Sequence, residues 1–188
     1  MDEDRRKWQD PASILRSIGL GPGMVFADIG CGGGFFALPA ATLVGTNGRV
    51  YALDISKDAT ASLADSAKSA GLRNVVTFTA DAAKTVVCEA CCDIVFFGID
   101  LHDFSDPAPV LENARLSLKS NGKLVDLDWK KSGIPFGPPE DIRFSEQKAS
   151  QIIEASGFVV TSVRDSGPYH YIIEAKIAAA GIHDAGIV

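Results

Sequence analysis

The stretch Val25-Phe-Ala-Asp-Ile-Gly-Cys-Gly-Gly-Gly34 decides the fold of this chain. A short apolar run, Met24 to Asp28, reads as a buried parallel strand that ends in an acid. The chain then turns through Gly30, Gly32 and Gly34 into a helix-like segment from Phe35 to Leu43. Glycine suits positive φ and close backbone approach to a ligand. The helix behind it presents N–H groups that have no intrahelical partner. Strand, glycine turn and helix together predict a nucleotide-type site at the mouth of an α/β sheet.

The spacing of the glycines narrows the ligand. A dinucleotide fingerprint needs G-x-G-x-x-G, and the third glycine of that pattern would fall on Phe35. The glycines instead follow G-x-G-x-G, with Asp28 two residues before the first. A carboxylate beside a helix N-terminus repels a pyrophosphate and attracts a cation. A second acid, Asp54, ends the next apolar run, where a carboxylate can accept hydrogen bonds from both hydroxyls of a ribose.

Working outward, strand-like and helix-like segments alternate, the pattern of an α/β fold with a parallel sheet. Strands are expected at Met24–Asp28, Arg49–Asp54, Val75–Thr79, Ile94–Phe97 and Lys123–Asp128. Asp106-Pro107 predicts an N-cap with proline at the first helical position, and Asn121-Gly122 a stop for that helix. Pro39 is tolerable if it falls in the first turn of its helix. A further helix is expected from Ser145, with Ala149, Ile152 and Ile153 inward and Gly157 as its cap. Val159–Val163 and Tyr171–Ala175 flank Asp165-Ser-Gly-Pro168, a turn short enough for an antiparallel hairpin.

The chain has 188 residues, 46% of them hydrophobic, enough to bury a full sheet core as one domain. A net charge of −6 argues against a nucleic-acid partner, since phosphate contacts need clustered Lys and Arg. No apolar run is long enough to span a membrane, and the charged Met1–Asp10 is unlike a signal peptide, so a cytoplasmic location is expected. Cys88-x-x-Cys91-Cys92 reads as half a metal site, as a thiol pair, or as small apolar residues leading into a strand. No second Cys/His cluster lies at zinc-site spacing, so no metal is assigned and no disulfide framework is expected.

Asp28-x-Gly30-x-Gly32-x-Gly34 with Asp54 resembles motif I and its following acid in class I S-adenosylmethionine (SAM)-dependent methyltransferases. Within them the chain is most similar to small proteins of the UbiE-like, type 11 group. The stretches that carry this are Asp28-Ile-Gly-Cys-Gly, Val50-Tyr-Ala-Leu-Asp54-Ile-Ser and Gly122-Lys-Leu-Val-Asp-Leu-Asp-Trp129. The resemblance covers Ile14 to Ala178. It implies a Rossmann-like seven-stranded methyltransferase sheet, mostly parallel with a C-terminal antiparallel hairpin. It also implies a single domain over 1–188, in which 1–13, with Trp8, would form a lid and 179–188 a tail.

The resemblance implies SAM as cofactor and methyl transfer to a small-molecule acceptor. Asp28 and the glycines would lie near the methionine end, Asp81 would meet the adenine amino group, and the Ala82 N–H the ring. Ile55 either packs on the adenine face or belongs to the core. Gly98, at the end of the fourth strand, would border the donor. The Pro-Pro-aromatic motif of base-amine methyltransferases is absent there, which again counts against nucleic acid. His102 and Asp100 are the acid–base candidates near that mouth, with a structural role for His102 as the competing reading. Tyr169-His170-Tyr171 and the loop Lys130–Pro139 are candidates to line an acceptor pocket. A homodimer is left open. The rival readings are a SAM-binding protein without transferase activity and an NAD-dependent oxidoreductase, the latter opposed by Phe35 and Asp28.

Overall fold

The computed structural model describes residues 9–179. Its strands are β1 (Val25–Ile29), β2 (Arg49–Asp54), β3 (Val75–Thr79), β4 (Cys92–Gly98), β5 (Leu118–Trp129), β6 (Phe158–Ser166) and β7 (His170–Ile177). They form one seven-stranded sheet in the order β3-β2-β1-β4-β5-β7-β6. The pairs from β3 to β5 are parallel, and β7 runs antiparallel to both β5 and β6. The strand order reverses between β1 and β4, so a crevice opens at their C-terminal ends, where ligands bind in sheets of this kind.

Among the described residues the α-helices are α1 (Pro11–Ser17), α2 (Ala37–Val44), α3 (Lys57–Ser69), α4 (Pro107–Ser117) and α5 (Glu146–Ala155). Successive strand residues point to opposite faces, and the core divides accordingly. Phe26, Val50, Ile94, Phe96 and Val125 pack with Leu15, Ala40, Ala41 and Leu63 on the α1–α3 face. Ala27, Val95, Phe97, Leu124 and Ile173 pack with Leu111, Ala114, Ala149 and Ile153 on the α4–α5 face.

Most expected elements lie where the pattern puts them, and β2 and β3 match residue for residue. Asp106 caps α4 by accepting from Ala108 N, with Pro107 as first residue, and Ser145 caps α5 by accepting from Lys148 N. Pro39 is the third residue of α2, early enough to disturb no ladder bond. Gly157 follows the Ser156 cap of α5 with φ of 86°. The hairpin turn is Gly167-Pro-Tyr169, because Asp165 and Ser166 still pair within β6.

Two expectations are corrected. Helix α4 ends at Ser117 rather than at Asn121-Gly122, and β5 begins directly at Leu118. Leu118 is buried and pairs with Cys92, which draws the chain into the sheet early. Gly122 is therefore a strand residue, and a Cβ there would stand 2.8 Å from the Cys92 carbonyl oxygen. Second, Cys88 and Cys91 are joined by a disulfide, whereas Cys31 and Cys92 are free and buried. Trp8, the lid residues before it and the tail from residue 180 lie outside the described residues. Asp10 caps α1 by accepting from Ala12 N, and Leu15 of that helix is fully buried.

Asn74 locks the β3 edge to the helix layer. Its side-chain amide donates to the carbonyls of Ala41 (2.8 Å) and Gly45 (2.9 Å) at the C-terminus of α2, while its own carbonyl accepts from Val50 N. Asn74→Ala leaves two such carbonyls without that donor in a buried setting. A loss of about 1–3 kcal/mol is expected, read as a lower urea midpoint with an unchanged slope. An unchanged midpoint would mean that water replaces the amide fully.

Candidate active site

The glycine turn is held by the end of β2. Gly30 N and Cys31 N both donate to the Leu53 carbonyl, at 2.8 and 3.0 Å. Gly32 N donates to Asp54 Oδ2 and Ser56 N to Asp54 Oδ1, each at 2.8 Å. One carboxylate thus ties the turn after β1 to the N-cap of α3, since Ser56 is that cap. The glycines do different things. A Cβ on Gly30 would come within 2.5 Å of Asp100 Cγ, so only glycine lets Asp100 fold beneath the turn. Gly34 adopts φ of 94° and makes room for Leu63 of α3, while Gly32 faces open space. Gly34 thus serves packing in this structure, and it lines neither of the clefts below.

Two adjoining clefts open here and share Gly30 and Asp100. The first, of about 330 Å³, is lined by Asp54, Ile55, Asp81, Ala82 and Phe104 among others. The second, of about 230 Å³, is lined by Asp28, Gly32, Phe36, Gly98 and Ile99. Every cofactor residue expected from the sequence except Gly34 borders one of them. Ile55 is 77% exposed, which removes the core reading and leaves an apolar side chain standing at the cleft. Asp81 caps a 3-10 turn by accepting from Ala83 N at 2.9 Å and pairs with Lys84 at 3.1 Å. The Ala83 bond and then Lys84 hold its carboxyl below the usual range. Gly98 is glycine because a Cβ would meet Phe36 and Phe96 at 2.8 Å.

Ile99 follows with φ of 73°, an outlier for a β-branched residue. Its N–H donates to the Leu127 carbonyl at 2.8 Å, and the reversal carries Asp100 back under Gly30. Such strain persists only where surroundings enforce it, and it concentrates at functional sites. Burial, and then the charges of Asp28, Asp103, Asp128 and Asp54, push the Asp100 carboxyl well above its ordinary value. Asp100 Oδ2 is buried with no hydrogen-bond partner. Asp28 is 1% exposed on the floor of the second cleft. The site is a well of carboxylates around a turn of backbone N–H groups, suited to a ligand that carries positive charge. Burial, and then Asp28, Asp54 and Asp100, push the Cys31 thiol above its ordinary value, which disfavours the nucleophilic thiolate.

Beyond Asp100, Leu101–Asp103 forms a 3-10 turn. His102 Nδ1 lies 2.8 Å from Asp128 Oδ1 and 2.9 Å from Oδ2, and Nε2 lies 3.3 Å from Asp103 Oδ1. Asp128 is 1% exposed and also accepts from Trp129 N. Burial, the strongest influence, pulls the imidazole down. The hydrogen bond and charge of Asp128, with Asp103, outweigh it and leave His102 above its ordinary value. Asp128 is the residue that sequence reasoning missed as a partner. The available signal was its position, an acid at the end of the strand that pairs with the mouth of β4.

An aromatic shelf begins at Trp129, the last residue of β5. The Trp129 ring lies 4.2 Å from His170 and 5.8 Å from Phe136, and Phe136 lies 4.8 Å from Tyr169. Arg143 sits over Trp129 and donates to the carbonyls of Pro138 (2.8 Å) and Phe136 (2.9 Å), folding the loop after β5 onto the indole. Gly137 permits that contact, since a Cβ would stand 3.2 Å from the ring. Tyr171 does not join the shelf. It points to the other face of the sheet, fully buried in the α4–α5 core.

Residues 20–164 match the family of the methyltransferase domain. The chain is 28% identical over 122 residues to demethylmenaquinone methyltransferase of Geobacillus kaustophilus, which covers 65% of this chain and 51% of that protein. It is 33% identical over 112 residues to nocamycin O-methyltransferase of Saccharothrix syringae, covering 59% and 40% respectively. The chain spans about half the length of the curated relatives it matches. A SAM-dependent methyltransferase structure from Aquifex aeolicus superposes with a TM-score of 0.88 at 30% identity, over 93% of either chain.

Because the folded imidazole titrates above its unfolded value near 6.5, the His102–Asp128 pairing stabilises fully below that pH. Its contribution fades as pH rises through the folded value. Asp128→Asn is therefore expected to lower the His102 pKa, as followed by NMR. Its stability deficit against the parent should be largest at mildly acidic pH and narrow toward alkaline pH. A deficit that does not vary across this window would show that His102 is neutral throughout.

Proposed function

Because the chain belongs to the class I SAM-dependent methyltransferases, in the type 11 group, we propose that it transfers a methyl group from SAM to a small-molecule acceptor. The observation that carries this is the pair of clefts meeting at Gly30 and Asp100. In the first, Asp54 would accept from the ribose hydroxyls, using lone pairs beyond those that hold Gly32 and Ser56. Ile55 would cover one face of the adenine, Asp81 would accept from its amino group, and the Ala82 N–H would meet the ring. In the second, Asp28, Gly30 and Gly32 would take the methionine end, and Gly98 would border the methyl group.

The carboxylates fit this donor. Asp28, Asp54 and Asp100 crowd one turn, and the buried Asp100 oxygen without a partner is an acceptor for an ammonium group. SAM supplies a methyl group on a positively charged sulfur, a good leaving group, so that holding the acceptor in line provides most of the rate. The aromatic cluster of Trp129, Phe136 and Tyr169 at the C-terminal edge of β5 supports an aromatic acceptor. The net charge of −6 supports a small molecule over a polyphosphate. Among the described residues no helix is long and apolar enough to cross a membrane.

His102 would act where the acceptor must lose a proton. Asp128 holds Nδ1–H, which leaves Nε2 as the basic atom. The exposed Asp103 carboxylate shields Nε2, and a bound hydroxyl would take that place. With methyl-labelled SAM and a panel of hydroxylated aromatic small molecules, label should pass to an acceptor. His102→Ala should lower kcat by about 10²–10⁴ with SAM affinity nearly unchanged. Tight SAM binding with no transfer to any acceptor would favour a binding protein and reduce His102 to a structural role.

A further inference from the structure

We propose that Cys88, Cys91 and Cys92, when reduced, form a three-thiolate site for one thiophilic d10 cation at the end of the sheet opposite the glycine turn. The three sulfurs lie within 4.8 Å of one another, and no other cluster of this kind occurs among the described residues. Cys92 Sγ is 3.5 Å from Cys88 Sγ and 3.9 Å from Cys91 Sγ. A metal bound at about 2.3 Å by thiolates separates tetrahedrally arranged sulfurs by roughly 3.8 Å, and trigonal ones by roughly 4.0 Å. Cys92 therefore already stands at ligand spacing from both partners. Only the disulfide-bonded pair, Cys88 and Cys91, must move apart.

The backbone holds this arrangement. Ala90 adopts φ of 46°, and its N–H donates to the Leu116 carbonyl at 2.9 Å. Cys91 N donates to Ser117 at 3.0 Å, so the turn is pinned to the end of α4. Cys92 is fully buried and paired in the sheet with Leu118, whereas Cys88 and Cys91 are half-buried and give an ion access. The adjacent carboxylate is occupied. Asp93 accepts from Val25 N and from Lys119 Nζ, both at 2.8 Å. The donor set is thus sulfur alone, which selects soft cations over oxygen-seeking ones.

The site is separate from the methyl-donor cleft. Cys92 begins β4 and Gly98 ends it, a span of about 20 Å at ~3.3 Å per residue. The inference does not rest on the methyltransferase reading. Opening the site requires a two-electron reductant: a dithiol gives two electrons and two protons to the Cys88–Cys91 bond and becomes a disulfide, and a phosphine with water does the same and becomes the phosphine oxide. The three thiols then lose three protons as the cation binds. The disulfide form offers one thiol and no site.

Cadmium is a suitable probe. The whole chain, reduced with a phosphine under inert gas and freed of reductant, is titrated with Cd2+ while thiolate-to-metal charge-transfer absorption is followed. One equivalent per chain is expected for the reduced protein and none for the oxidised protein. Cys88→Ser should weaken binding by roughly 100-fold, one thiolate's share of the affinity of a structural zinc site. Cys92→Ser should do the same, and because Cys92 is buried its fold is checked by circular dichroism, with Cys88→Ser carrying the test if it fails. No band in the folded reduced protein, or a band that survives Cys88→Ser undiminished, overturns the proposal and leaves a structural disulfide beside a core cysteine.

Discussion

The carboxylate of Asp54 holds the functional end of the sheet together. It accepts from Gly32 with one oxygen and from Ser56 with the other, and so joins the turn after β1 to the first turn of α3. That turn has positive φ at Gly30, Gly32 and Gly34, a conformation that loses much backbone entropy on ordering. The Leu53 carbonyl, accepting from Gly30 and Cys31, and Asp54 offset this cost together. Once the turn is fixed, Asp100 can pack beneath Gly30, where no Cβ fits, and Ile99 is forced into its reversed conformation. Both clefts follow from this interlock. Asp54 therefore shapes the turn before any ligand arrives.

The same interlock sets the electrostatics. Bringing the end of β4 under the turn gathers Asp28, Asp54 and Asp100 around one small volume. Burial and mutual repulsion make the charged form of Asp100 unfavourable. A pyrophosphate would add negative charge to this well, and a sulfonium with an ammonium group would relieve it. The fold is shared by proteins that bind either kind of ligand, so the acids decide the matter rather than the sheet.

How much was legible in the sequence depended on the range of the interaction. Parallel strands read as apolar runs, and β2 and the half-buried edge strand β3 could be placed to the residue. Asp106-Pro107 and Ser145 marked helix starts because capping is a local hydrogen bond. Asp28, Gly30 and Asp54 were visible because a strand, a turn and the next strand end lie close in sequence. Asp128 was not visible as the partner of His102, since β4–β5 pairing and not spacing brings the two together. Gly122 looked like a helix stop, and only its approach to Cys92 explains it. Tyr169-His170-Tyr171 read as one aromatic unit, yet strand alternation sends Tyr171 into the core and leaves its neighbours on the shelf with Trp129. The turn that gathers Cys88, Cys91 and Cys92 depends on carbonyls at the end of α4, which no pattern within the cysteine segment reveals.

The acids around the glycine turn suit a cationic nucleoside rather than a pyrophosphate. Isothermal calorimetry of the chain with S-adenosylhomocysteine, SAM and NAD+ in parallel tests this most directly. Micromolar or tighter binding of the first two, with no heat from NAD+, is the expected result. Binding of NAD+ with none of SAM or its demethylated product would contradict it.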